Sequence, residues 1–261
     1  MSSRDPATSA SLRSQMSVVP SQPSLQSIKI DLRVLTLGTI AGELNYAPFT
    51  LELTDTLPYC CVRGPSGSGK TTFFKSLIPR FVEDWRAYDT IDLRLSITRN
   101  LIDFFETGGR IGYAAQRPFF IAHRTVRENL LDPFAWCEGP VPSETAINDV
   151  VKDFVLTSIV HRKAYQLSAG ERQRLNLART FIASPELVII DECFSPMDES
   201  LADEIAEVIV AKYAKNARIL VTGHRAQDLK RFMPATLQFA FHDQSKPKSV
   251  RQVIVSYDTG S

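Results

Sequence analysis

The sequence has almost no excess of charge of either sign, which removes one common basis for assigning a function. Its 30 lysines and arginines are balanced by 29 aspartates and glutamates, giving a formal net charge of +1 over 261 residues. Proteins that bind nucleic acid usually carry a clear basic excess. We therefore expect no nucleic acid partner.

Long hydrophobic runs and metal-binding cysteine patterns are also missing. The longest apolar candidate, LVIIDECF, carries two carboxylates, whereas a membrane-spanning helix needs about 18 consecutive apolar residues. The four cysteines, which lack metal-ligand spacing, are Cys60, Cys61, Cys137 and Cys193. Because two of them stand in strand-like apolar runs, we expect buried free thiols in a reducing compartment.

Residues 1–27 are rich in serine and poor in large apolar side chains. Such a composition buries too little surface to offset the entropy of ordering, so we expect a disordered tail. The tail has no hydrophobic segment of the secretory type. Arg4 and Arg13 among the serines are typical of an organelle transit peptide, but Asp5 and the missing amphipathic pattern argue against one. We expect the tail to stay uncleaved.

The stretch GPSGSGKTT, Gly64–Thr72, indicates a bound nucleotide phosphate. Its glycines let successive backbone N–H groups turn inward, and Lys70 and Thr71 complete the spacing G-x-x-x-x-G-K-[ST] of a P-loop. The apolar YCCVRG before it predicts a strand, and the stretch after it predicts a helix over residues 70–81. Strand, glycine loop and helix together form the context in which a P-loop holds phosphate.

The periodicity of the whole chain predicts an α/β fold for residues 28–261, with a P-loop NTPase core. IKIDLRVLTL and FTLELTD alternate with period two and predict an N-terminal antiparallel β subdomain. Later strands alternate with helices, a pattern that predicts a mainly parallel sheet with crossover helices. The segments TLQFAFHD and VRQVIVSYD are expected to pair antiparallel.

A mostly helical subdomain is predicted to interrupt this core at about residues 117–165. TVRENLLDPF is expected to form a helix capped by Thr125. SETAINDVVKDFVLTSIV predicts a longer amphipathic helix capped by Ser143, with Ile147 and Phe154 facing inward.

The stretch LSAGERQR, Leu167–Arg174, opens a further helix with small residues. The N–H groups at such a helix N-terminus are reachable and attract phosphate. A second helix-end phosphate site in one chain is expected to serve a neighbour's nucleotide. The alternative is an ordinary capped helix, since serine is common at the N-cap.

In the order and spacing of its motifs, the chain over about residues 28–240 resembles the ATP-binding-cassette (ABC) ATPases. LSAGERQR is similar to their signature motif L-S-G-G-Q, with Ala169 and Glu171 as departures, and LVIIDE resembles their Walker B strand. YAAQRPFF resembles the Q-loop and TGH the strand end of the switch histidine. SPMD resembles the D-loop, with Pro196 where the family usually has alanine.

The resemblance implies ATP and Mg²⁺ as ligands and assigns roles to single residues. Glu192 is expected to orient or deprotonate the attacking water, His224 to sense the γ-phosphate, and Gln116 to contact metal and water. The alternatives are a supporting carboxylate and a structural histidine. Mg²⁺ is expected at Thr71, Gln116 and Asp191. The residues expected to contact nucleotide, the last three from a partner subunit, are Gly64, Ser66, Gly67, Ser68, Gly69, Lys70, Thr71, Thr72, Ser168, Gly170 and Asp198.

The aromatic that stacks on adenine in this family is expected well before Gly64. Tyr46 and Phe49 are the candidates, but neither stands at the usual spacing, and core packing is the alternative for Phe49.

The resemblance implies a transporter's ATPase subunit, because the distance from Lys70 to Ser168 is too short for the insertions of DNA-repair relatives. It would be a homodimer or pair with a paralogous ATPase subunit, and would bind a membrane-spanning subunit from the cytoplasm. TVRENL and DEC are similar to exporter cassettes. Two alternatives stay open: a soluble ABC ATPase driving assembly work such as iron–sulfur-cluster biogenesis, and an ATP-gated regulatory dimer.

Overall fold

The computed structural model describes residues 27–39, 42–46, 48–81, 92–97, 109–136, 141–223, 232, 236–241 and 250–258. The predicted tail, apart from Ser27, lies outside these residues, as do Cys137 and His224. Among the helices of the described part, none is long and apolar enough to cross a bilayer.

Ten strands of the described residues form one sheet. They are β1 Ser27–Thr39, β2 Gly42–Tyr46, β3 Phe49–Thr54, β4 Tyr59–Arg63, β5 Asp92–Ile97, β6 Ile111–Ala114, β7 Leu187–Asp191, β8 Arg218–Thr222, β9 Thr236–Phe241 and β10 Val250–Asp258. Their order across the sheet is β3-β1-β2-β10-β9-β4-β8-β7-β6, and β5 pairs with β1.

The predicted mainly parallel core is confirmed. Strands β9, β4, β8, β7 and β6 run parallel to one another, and every residue of β7 and β8 is buried. Strand β1 pairs antiparallel with β2, β3 and β5, which forms the predicted antiparallel region. Strand β10 joins the two parts, because it pairs antiparallel with β9 and parallel with β2.

The helices lie between these strands in the chain. They are α1 Lys70–Ser76, α2 Val126–Trp136, α3 Glu144–Asp153, α4 Ala169–Phe181 and α5 Glu199–Val208. Short 3-10 turns follow α3 at Thr157–Ile159 and Ala164–Gln166, and a π-helical turn continues α5 over Ile209–Tyr213. Helices α2 and α3 fall within the predicted helical subdomain.

Two helices are shorter than the sequence predicts. The one predicted over residues 70–81 ends at Ser76. The one that starts after Ser143 ends at Asp153, because Val155 takes a left-handed φ of 53° that interrupts the helix. The predicted cap is present, since the Ser143 hydroxyl accepts a hydrogen bond from the Ala146 amide at 3.2 Å.

Hydrophobic clusters cover both faces of the parallel strands. Because side chains alternate along β7, Val188 and Ile190 belong to the cluster with α3, α4 and α5. Leu187 and Ile189 belong to the other cluster, which includes α1, β1 and β3. The predicted inward-facing residues of α3, Ile147 and Phe154, are buried in the first cluster. Among the described residues, Cys60, Cys61 and Cys193 are buried thiols that form no disulfide, as expected.

Candidate active site

The P-loop leaves β4 and enters α1 through backbone conformations and contacts that require glycine. At Gly69, φ is 91°, and a Cβ there would lie 2.1 Å from the Tyr46 hydroxyl. At Gly64, a Cβ would lie 2.6 Å from the carbonyl oxygen of Phe239. The loop is therefore closely packed against β2 and β9 at its two ends.

Lys70 holds its ammonium group inside the loop. Its Nζ donates hydrogen bonds to the carbonyl oxygens of Gly64 at 2.9 Å and Pro65 at 3.1 Å. Burial lowers the pKa of Lys70, while the charges of Glu192 and Asp191 act in the opposite direction. The ammonium group of Lys70 is therefore already held in place before a phosphate binds in the loop.

An open cavity of about 350 Å³ lies over the loop. Its lining residues are Ser66, Gly67, Gly69, Lys70, Thr71, Thr72, Gln116 and Glu192. Ser68 is not part of this lining. It is fully buried, and its hydroxyl has no hydrogen-bond partner among the described residues. The structure thus brings six of the predicted phosphate-binding residues, but not Gly64 and Ser68, to one cavity together with Gln116 and Glu192, two of the predicted catalytic residues.

Asp191 ends β7 beside the cavity, and three hydroxyl groups hold its buried carboxylate. Thr71 and Tyr113 donate to Oδ2 at 2.8 and 3.1 Å, and Thr222 donates to Oδ1 at 2.9 Å. Burial and the Asp191 charge raise the pKa of Tyr113, so this phenol stays a neutral donor. The Thr71–Asp191 contact confirms that the P-loop and the end of β7 meet.

Glu192 has a left-handed backbone conformation, with φ at 55°. Its amide donates to the carbonyl oxygen of Thr222 at 3.2 Å and to the hydroxyl of Thr222 at 3.1 Å. Its carboxylate accepts a hydrogen bond from the side-chain amide of Gln116. The main chain of Gln116 is held in turn by the Gln173 side chain, which donates to its carbonyl oxygen at 2.7 Å.

The residues predicted to face a partner subunit lie apart from this cavity. Ser168 caps α4, accepting from the Glu171 amide at 3.2 Å, and is exposed. Gly170 lies against Pro196, since a Cβ at 170 would be 3.0 Å from the Pro196 carbonyl oxygen. Asp198 is exposed at the N-cap of α5. None of Ser168, Gly170 and Asp198 is among the residues that line the P-loop cavity of the same chain.

Sequence reasoning missed the contacts of Tyr113, Thr222 and Gln173. Tyr113 belongs to the motif YAAQRPFF and Thr222 to the motif TGH. A motif does not show which residues these side chains bond, so their hydrogen-bond partners could not be predicted. Phe49 packs against Phe73, with ring centroids 5.4 Å apart, which confirms core packing for this residue.

Comparison with known proteins decides the family. Residues 58–195, more than half of the chain, match the family model described as ABC transporter. The chain belongs to the ABC transporter family. It is an ATP-binding cassette of that family. The predicted P-loop is Gly64–Thr72, the predicted Walker B strand is β7, Leu187–Asp191, and the predicted signature motif opens the helix Ala169–Phe181.

Curated relatives of this cassette include the molybdenum import ATP-binding protein ModC 2 of Bradyrhizobium diazoefficiens. It is 28% identical over 193 residues, which cover 70% of this chain and 20% of that protein. The uncharacterized ABC transporter ATP-binding protein YwjA of Bacillus subtilis is 30% identical, covering 72% of this chain and 32% of that protein. The cassette thus spans no more than about a third of these two relatives.

Among solved structures, the cassette is similar in fold to the dimeric structure of MJ0796, a bacterial ABC transporter cassette. The TM-score is 0.66 at 16% identity, and the match covers 88% of this chain and 98% of that chain.

Proposed function

We propose that this cassette is the ATP-hydrolysing subunit of a membrane transporter and acts as a dimer that encloses two ATP molecules. The observation that carries this proposal is a pair of separated half-sites. One is a P-loop cavity with Glu192 at its wall, and the other is the exposed helix N-terminus at Ser168, which does not line the cavity of its own chain. A second copy, or a paralogous ATPase subunit, would complete each site.

The cavity residues fit a nucleotide with Mg²⁺. The Thr71 hydroxyl and the Asp191 carboxylate are oxygen donors 2.8 Å apart, and Mg²⁺ in such sites is usually held by one or two carboxylates together with substrate phosphates. Thr71 and Asp191 would hold the ion, with Gln116 facing it from the end of β6. Bound there, Mg²⁺ neutralises charge on the β- and γ-phosphates.

The proposed chemistry is attack of water on the γ-phosphate, with Glu192 as the base. Its carboxylate faces the cavity, and Gln116 fixes that carboxylate through one of its oxygens. Lys70 would bind the β- and γ-phosphates by exchanging its present loop carbonyl partners for phosphate oxygens. His224 is proposed to sense the γ-phosphate.

Substitution Glu192→Gln tests this assignment. It should leave the affinity for ATP unchanged and lower turnover about 100-fold or more, because an amide cannot accept the proton of water. Nucleotide titration and phosphate release measure the two quantities. Glu186→Gln is the matched control. It removes a carboxylate that pairs with Arg110 at 3.0 Å and does not line the cavity, so this variant should keep full turnover. Full turnover in Glu192→Gln would rule Glu192 out as the base.

A partner subunit would dock beside the Q-loop. A second cavity of about 200 Å³ is lined by residues that include Pro118, Phe119, Ala122, Tyr165 and Arg172, and the Phe119 ring is 79% exposed. We propose that an apolar segment of a membrane-spanning transporter subunit occupies it, which would hold the cassette at the cytoplasmic face of a membrane. Relatives are named for import and for export, as in phosphate import PstB 2 and lipopolysaccharide export LptB. The exporter-like character of TVRENL stays a prediction.

A further inference from the structure

Tyr46 lies directly under the phosphate loop. It is the last residue of β2, where it pairs with Leu35 of β1 and Val253 of β10, and its side chain is buried. Its hydroxyl donates to the carbonyl oxygen of Gly69 at 2.6 Å.

The Gly69 carbonyl accepts two hydrogen bonds, one from Tyr46 and one from the amide of Phe73 at 2.8 Å, the first backbone bond of α1. A carbonyl oxygen has two lone pairs, so both bonds are compatible. Because a peptide unit is planar and trans, fixing this carbonyl also fixes the N–H of Lys70, which points in the opposite direction. Tyr46 therefore acts on the peptide that joins the last P-loop glycine to the lysine.

The packing around Tyr46 leaves its ring little freedom. The ring meets Phe239 edge-on, with centroids 6.0 Å apart, and a Cβ at Gly69 would lie 2.9 Å from the Tyr46 ring carbon that carries the hydroxyl. Phe239 in turn approaches Gly64 at the other end of the loop. Burial raises the pKa of Tyr46, so its hydroxyl keeps its proton and stays a donor.

We propose that Tyr46 is a positioning residue of the phosphate loop, which sets the direction of the Lys70 N–H toward the cavity, and that its ring is not the platform for the nucleotide base. The expected effect on nucleotide affinity rests on the proposed function. The expected effect on the conformation of the loop, residues 64–72, does not.

The test compares Tyr46→Phe, which keeps the ring and removes the hydroxyl, with Tyr213→Phe. The control loses a phenol that donates to Asp153 at 2.5 Å, far from the P-loop in the chain. Titrations use ATP, GTP and inorganic tripolyphosphate, each with Mg²⁺. We expect Tyr46→Phe to weaken all three by the same factor, about three- to tenfold for one lost hydrogen bond, and Tyr213→Phe to leave all three unchanged.

Hydrogen–deuterium exchange of the nucleotide-free proteins gives an independent readout. Exchange over residues 64–72 should be faster in Tyr46→Phe than in the wild type, and unchanged in Tyr213→Phe. Loss of ATP affinity with tripolyphosphate affinity preserved would show that Tyr46 contacts the base, and would overturn the proposal. Unchanged exchange over residues 64–72 would overturn it as well. If the wild type binds no nucleotide, the proposed function fails, while the exchange result still decides the role of Tyr46.

Discussion

Thr222 contacts both Asp191, the last residue of β7, and Glu192, which follows it, although Thr222 does not line the cavity. Its buried hydroxyl donates to Asp191 Oδ1 at 2.9 Å and accepts from the Glu192 amide at 3.1 Å. One side chain thus fixes the direction of the proposed metal ligand and the left-handed backbone of the proposed base. The relative position of Asp191 and Glu192 depends on a third residue on a neighbouring strand.

Substitution Thr222→Val should lower the free energy of unfolding by about 1–3 kcal/mol, because it leaves a buried carboxylate oxygen without its donor while keeping the side-chain volume. Denaturant unfolding measures the change. Thr222→Ser restores the hydroxyl and should recover most of the loss. Equal stability of the valine variant and the wild type would show that the hydroxyl is not holding Asp191.

For single residues, the sequence predicts which side chains carry the proposed chemistry but not which neighbours hold those side chains by hydrogen bonds. Lys70, Thr71, Asp191 and Glu192 follow from motif spacing. The donor from Tyr113 to Asp191 could not be predicted, since the two residues lie 78 positions apart and meet only through the pairing of β6 with β7. His224 stays a prediction.

Ser168 and Glu171 form a capping box at the N-terminus of α4, with a hydrogen bond in each direction. Glu171 is one of the two departures from the signature pattern. The Ser168 amide donates to the Glu171 carboxylate at 2.7 Å, and Arg162 pairs with the same carboxylate at 2.9 Å. Burial raises the pKa of Glu171, but the bonds from Ser168 and the charges of Arg162 and Arg174 outweigh it and lower the pKa overall. The folded state therefore stabilises the ionised form of the Glu171 carboxylate.

This arrangement predicts a pH-dependent contribution to stability. A lowered pKa in the folded state gives stabilisation that is present above the ordinary glutamate pKa of about 4.3 and is lost as pH falls through the folded value. The wild type should therefore melt at a higher temperature than Glu171→Gln at neutral pH, and the difference should vanish at acidic pH. Thermal unfolding across this range measures it. A difference that is constant with pH would show that the charge of Glu171 is not involved.

Helix and strand types follow from the sequence better than their ends do. The caps at Ser143 and Ser168 are local and could be predicted. The sequence does not single out strand β2, because the five residues GELNY are too few to establish a period and are fixed by pairing with β1 and β10. The early end of α3 depends on the unusual backbone of Val155, which its β-branched side chain does not suggest.

At the scale of the whole molecule, the two elements proposed to bind nucleotide lie in different places. In the proposed function the cavity at Lys70 would hold phosphates from one side, and the exposed N-terminus of α4 at Ser168 would meet an anion from outside the chain. Two copies arranged head to tail would close both cavities at one interface. Association should then require nucleotide and Mg²⁺, and hydrolysis should separate the pair.

Light scattering on the Glu192→Gln protein with MgATP tests this claim most directly. We predict a dimer with MgATP and a monomer without it. Adding Ser168→Arg should abolish the dimer through steric and charge conflict at the interface, while each monomer still binds ATP. Ser143→Arg, the same change at the N-cap of α3, controls for the lost cap and should leave the dimer intact. A Ser168→Arg protein that still dimerises with MgATP would contradict the two-site account, because LSAGERQR would then be only a capped helix.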